Sequence, residues 1–83
     1  MDMEKATIRE LNNLIIIRGN GNELITVQRD QIIGYQVSSQ PEQVTIILTQ
    51  NNVTIPMRSS DGWKEVLEEL TVLITYKPRL KPT

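Results

Sequence analysis

Three glutamates, Glu65, Glu68 and Glu69, stand close together in a stretch with helical periodicity, and Glu65 with Glu69 makes an i,i+4 pair able to hold a weakly bound divalent ion. Nothing else in the chain comes nearer to a set of reactive groups. A specific metal site needs further oxygen ligands in a fixed geometry, and runs of like charge usually mark a solvated helix face. The chain contains no histidine and no cysteine. Those two absences remove the commonest general base, the commonest metal ligand, thiolate chemistry and any Ser-His-Asp or Cys-His arrangement. Carboxylates and lysines can run acid–base chemistry alone, but no pair here is spaced for it. The expectation is a protein that is not an enzyme and uses neither cofactor nor metal.

Other candidates are weighed the same way. Gly19-Asn20-Gly21-Asn22 is glycine-rich, but it sits between two strand-like runs and lacks the lysine of a phosphate loop, so it reads as a hairpin turn. Lys77, Arg79 and Lys81 gather charge at the C-terminus and are the candidate nucleic-acid contacts. Against them stand a net charge of −1 and only one Trp, two Tyr and no Phe to stack on bases. A nucleic-acid-associated regulator is therefore the second reading. Trp63 falls on the apolar stripe of a helix, where a core role outweighs an interface role.

The elements that must position these residues follow from periodicity. Eighty-three residues make a single domain, 1–83, whose small size leaves stability marginal and oligomerisation a common supplement. Residues 1–12 form an arm or a short helix, with Met3, Ala6, Thr7, Ile8 and Leu11 on one face. Residues 14–57 carry apolar runs broken by turn residues. Leu14 to Ile17 leads into the Gly19–Asn22 turn, and Glu23 to Gln28 returns to a turn at Arg29-Asp30. Gln31 to Ser38 follows, with a bulge expected at Gly34. Val44 to Gln50 and Val53 to Met57 come next, and Pro56 puts the last of these at an edge. Residues 60–75 form an amphipathic helix with Trp63, Val66, Leu67, Leu70, Leu73 and Ile74 on one side. Residues 77–83 are a basic tail.

The fold class is thus α+β: a four- to five-stranded antiparallel β-meander, free to curl into a small barrel, with a C-terminal amphipathic helix. One helix covers one face. On the other, Ile15 (or Ile16), Ile25 and Ile47 leave an apolar surface that closure, the N-terminal arm or a second copy would have to cover.

From Gly19 to Leu70 the chain resembles the small FlbD-like proteins linked to bacterial flagella and motility. The likeness rests on Asn20-Gly21, Gln31-Ile32-Ile33, Pro41-Glu42-Gln43-Val44-Thr45-Ile46 and the acidic helix from Ser60 to Leu70. It departs at the loops, where Asn51-Asn52 stands in place of asparagine-glycine. What the resemblance implies is the β-meander-plus-helix fold.

Together these features point to a small interaction module: an adaptor, assembly factor or regulator. Its partner is another protein, a second copy being one candidate, bound either on the sheet face opposite the helix, with Ile15, Ile25 and Ile47 as contact residues, or by strand addition at an exposed sheet edge. A phage or mobile-element inhibitor of a host protein is a further alternative. The charged N-terminus is no secretory signal, and no apolar run reaches the roughly 18 residues that span a bilayer. No membrane partner and a cytoplasmic location are therefore expected.

Overall fold

The computed structural model describes residues 4–75. Strands β1 (Thr7–Leu11), β2 (Leu14–Arg18) and β3 (Leu24–Gln28) form one antiparallel sheet; β4 (Ile32–Ser39), β5 (Glu42–Leu48) and β6 (Asn52–Pro56) form a second. Helix α1 (Trp63–Thr75) closes the described chain. The α+β class and the C-terminal helix agree with the sequence reading.

Three details differ from it. Among the described residues there are six strands, divided three and three, and neither sheet closes into a barrel. The division falls at Arg29–Gln31, which forms a short 3-10 turn, and at a register shift between Ile32 and Gly34, the bulge that the glycine signalled. The third difference is that no N-terminal helix forms among the described residues. Residues 7–11 are a strand, because Asn12 takes a positive φ of 57° and turns the chain back onto Leu14. Asparagine tolerates that conformation better than most residues. A helix as short as residues 1–12 has little intrinsic stability, whereas a strand of Thr7–Leu11 bonds along its whole length to β2.

Helix α1 buries Trp63, Val66, Leu70 and Leu73, with Leu67 and Ile74 packed at the margin. They join Ile15, Ile17 and Val27 of the first sheet and Ile32, Val44, Ile46 and Ile55 of the second in one core. Each fully buried aliphatic side chain contributes roughly 1.5–3 kcal/mol relative to exposure. Part of the apolar excess expected on one open sheet face is thereby taken into the core, where Ile15 is buried and Ile25 packs against it. Two sheets, rather than one, share the helix.

The N-terminus of α1 is fixed by a buried amide. Asn20, 2% exposed, donates from Nδ2 to the carbonyls of Glu4 (2.9 Å) and Asp61 (3.2 Å). Its Oδ1 accepts from the Ser59 amide (3.0 Å) and Trp63 Nε1 (2.6 Å). The turn that reads as a simple hairpin is thus also the clamp between β1, the β2–β3 loop and α1. Gly62 completes the junction with φ +83°; a Cβ there would lie 2.2 Å from the Ala6 carbonyl oxygen.

Candidate functional site

Residues paired across neighbouring strands share a face. The outer face of the first sheet therefore consists of three rows: Leu11–Leu14–Gln28, Arg9–Ile16–Thr26 and Thr7–Arg18–Leu24. Four of these nine residues are aliphatic, two are arginines and none is acidic. Leu11 and Leu24 are 56% and 57% exposed, and Leu14 is 37% exposed. Arg9 and Arg18 make no ion pair among the described residues. This sheet face is both apolar and cationic.

The second sheet differs. Its outer face presents Gln36, Ser38, Gln43, Thr45 and Thr54, and the hydroxyls of Thr45 and Thr54 are 3.1 Å apart. Ile47 lies on that face, half-buried, and pairs with Gly34 and Asn52. The other two expected contact residues face the core. Ile15 is fully buried, and Ile25, paired with Ile17, is half-buried against the same cluster. Ile15 is thereby removed from the free surface. In a continuous run such as Leu14 to Ile17, periodicity cannot say which parity faces in. The structure sets Ile15 and Ile17 inward and Leu14 and Ile16 outward. Lys77, Arg79 and Lys81 lie outside the described residues.

Beside this face runs a groove of about 320 Å³ between β1 and α1. One wall is the consecutive stretch Lys5 to Glu10; the other is Glu65, Val66, Glu69 and Leu73. Lys5 Nζ and Glu65 Oε1 are 3.6 Å apart across it, both well exposed. Glu10 pairs instead with Arg29 at the far side of the sheet. Glu69 makes no ion pair among the described residues. Glu65, Glu68 and Glu69 are exposed on α1, and the described residues contain no group of three acids that could hold a metal ion.

One further ion pair ties the β2–β3 loop to the segment before α1. Arg58 Nε contacts Glu23 Oε2 at 2.5 Å, and this hydrogen bond, with smaller help from backbone amides and against a desolvation penalty, holds the Glu23 carboxyl below its ordinary pKa. No helix among the described residues is long and apolar enough to cross a membrane.

Comparison with protein-family models, curated proteins and solved structures finds no match. The likeness to the FlbD-like proteins therefore rests on the residues given above.

Proposed function

We propose that this chain is a small non-catalytic protein-interaction module that docks an acidic, partly apolar protein on the outer face of its first sheet. The single observation that carries this reading is the composition of that face: four aliphatic side chains set around Arg9 and Arg18, with no acid to neutralise them. Exposed apolar clusters rimmed by polar groups mark interaction surfaces. Aliphatic contacts supply affinity there, and complementary charge supplies specificity and association rate. The lack of histidine and cysteine, and the outward, solvated placement of the glutamates, favour binding over catalysis.

The same composition makes a second copy a poor occupant of this face. Two such faces stacked together would bring four arginines into one interface with no carboxylate between them. Like charges in a desolvated contact cost several kcal/mol.

The test is a comparison of proteins cross-linked to the wild-type chain, to Leu14→Glu and to Thr45→Glu in an extract of the source cell. Leu14→Glu should lose an acidic partner that Thr45→Glu, on the polar sheet, retains, and raised salt should weaken its capture. Identical partners from all three forms would sink the proposal.

A further inference from the structure

Strand β1 has a neighbour on one side only. The direction of its remaining backbone groups follows from bonds elsewhere in the sheet. Gly19 N–H donates to the Glu23 carbonyl (2.8 Å) and Arg29 N–H to the Asn13 carbonyl (2.8 Å). The odd-numbered residues of β2 therefore point to β3, and the even-numbered ones point to β1. In the register Leu11↔Leu14, Arg9↔Ile16 and Thr7↔Arg18, this engages Thr7, Arg9 and Leu11 with β2. Ile8 and Glu10 are left with N–H and C=O pointing away from the sheet, and neither group has a partner among the described residues.

At Ala6 this edge is closed: its N–H donates to the Asp61 carbonyl (3.0 Å), and Gly62 abuts its carbonyl oxygen. From Ile8 onward it opens into the groove against α1. We infer that this edge binds an extended peptide segment of a different protein, which adds as a fourth strand alongside β1, over the mouth of the groove. The proposal goes beyond the docking face above, since it uses the strand edge and its backbone groups and shares only Arg9 with that face; either can fail alone.

The walls define the segment's chemistry. Side chains alternate across a strand. Those turned toward α1 meet the exposed Glu65 and Glu69, which stand over the buried Val66 and Leu73. Lysine fits there, its charge reaching Glu69, and valine between the lysines favours the extended conformation. Side chains turned the other way lie beside Arg9 and suit glutamate.

A second copy of β1 is a poor occupant. Three two-fold antiparallel registers keep the open groups in phase. One sets Arg9 opposite its own counterpart, and one does the same with Glu10. The third needs Ala6, which Asp61 already occupies. Like charges directly opposite are destabilising.

The test uses a capped heptapeptide in which glutamate alternates with lysine and valine, titrated into the full chain. Amide proton–nitrogen spectra should show saturable shifts centred on Ile8, Glu10 and the α1 wall at millimolar peptide. Two further peptides are N-methylated, one on the glutamates and the other on the lysines and valines. Only one phase of a strand bonds to β1, so one modification should abolish binding and the other should spare it. Glu69→Ala should weaken binding about two- to fivefold, as expected for an exposed ion pair. Leu14→Glu should leave it unchanged, which separates this proposal from the docking face. Absence of saturable shifts, shifts elsewhere, or equal response to the two N-methylations would overturn it.

Discussion

The carboxamide oxygen of Asn20 lies 2.6 Å from the indole Nε1 of Trp63, and both residues are only 2% exposed. All four hydrogen-bonding positions of the Asn20 amide are used, by Glu4, Ser59, Asp61 and Trp63. Asn20→Ala leaves four buried or part-buried groups without this partner. A buried group left unpaired costs about 1–3 kcal/mol, and a native domain has only about 5–15 kcal/mol in hand. The variant should therefore be unfolded or close to it at room temperature. Trp63→Phe keeps most of the ring's packing and forfeits one hydrogen bond, so it should remain folded and lose about 1–3 kcal/mol. Urea unfolding followed by circular dichroism decides the matter. An Asn20→Ala protein within 1 kcal/mol of wild type, on the scale of one ordinary hydrogen bond, would contradict this view of the junction.

Gly62 makes a separate demand on the same corner. Its φ of +83° disfavours any L side chain, and a Cβ would sit 2.2 Å from the Ala6 carbonyl oxygen, which is backbone and cannot swing aside. Gly62→Ala should destabilise by about 2 kcal/mol or more, combining backbone strain with the displacement of β1 from α1. A thermal midpoint unchanged from wild type would show that the strand can retreat at no cost.

How far all this could be read from the sequence differs by element. The stripe Trp63, Val66, Leu70 and Leu73 specified α1, because apolar residues at spacings of three and four have no second solution. Pro56 and Gly34 marked an edge strand and a bulge, and both lie where expected. The N-terminal strand was not legible. Ala6, Thr7, Ile8 and Leu11 fit a helical face as well as a strand, and the choice falls to Asn12 and the pairing with β2, which no local pattern encodes. Which residues make up the apolar, cationic face of the first sheet was not legible for a related reason. Leu14 and Ile16 cannot be told from Ile15 and Ile17 by periodicity, and Arg9 meets Arg18's strand only through tertiary register. The Asn20 clamp spans up to 43 residues of sequence and left no local mark beyond the turn itself.

The Glu23–Arg58 pair gives a pH dependence with a definite sign. The folded-state pKa of Glu23 is lowered, chiefly by the Arg58 hydrogen bond. The unfolded chain therefore takes up a proton at higher pH than the native one. The pair's contribution is present above the unfolded pKa and is lost as the pH falls through the folded pKa. Arg58 is half-exposed, so the contribution is small, within about 0.2–1 kcal/mol for a surface ion pair. Arg58→Ala should raise the Glu23 pKa in carboxyl-carbon titrations and should barely alter stability at neutral pH. A Glu23 titration unmoved by the substitution would assign the depression to the backbone amides instead.

The alternating bonding of β1 makes a prediction that needs no ligand. Amides of Thr7, Arg9 and Leu11 face β2, while those of Ile8 and Glu10 face the open groove. Native-state hydrogen exchange should accordingly alternate along the strand: slow at positions 7, 9 and 11, fast at 8 and 10. Asn12→Val should flatten the pattern. A β-branched residue resists the positive φ at Asn12, so the turn that holds β1 to β2 would be strained by about 1–3 kcal/mol and local opening would expose both sets. Slow exchange at Ile8 and Glu10 in the free protein would mean that the edge already has a partner. In that case the groove would not be open to a peptide, and the alternation of residues 7–11 would need a different register.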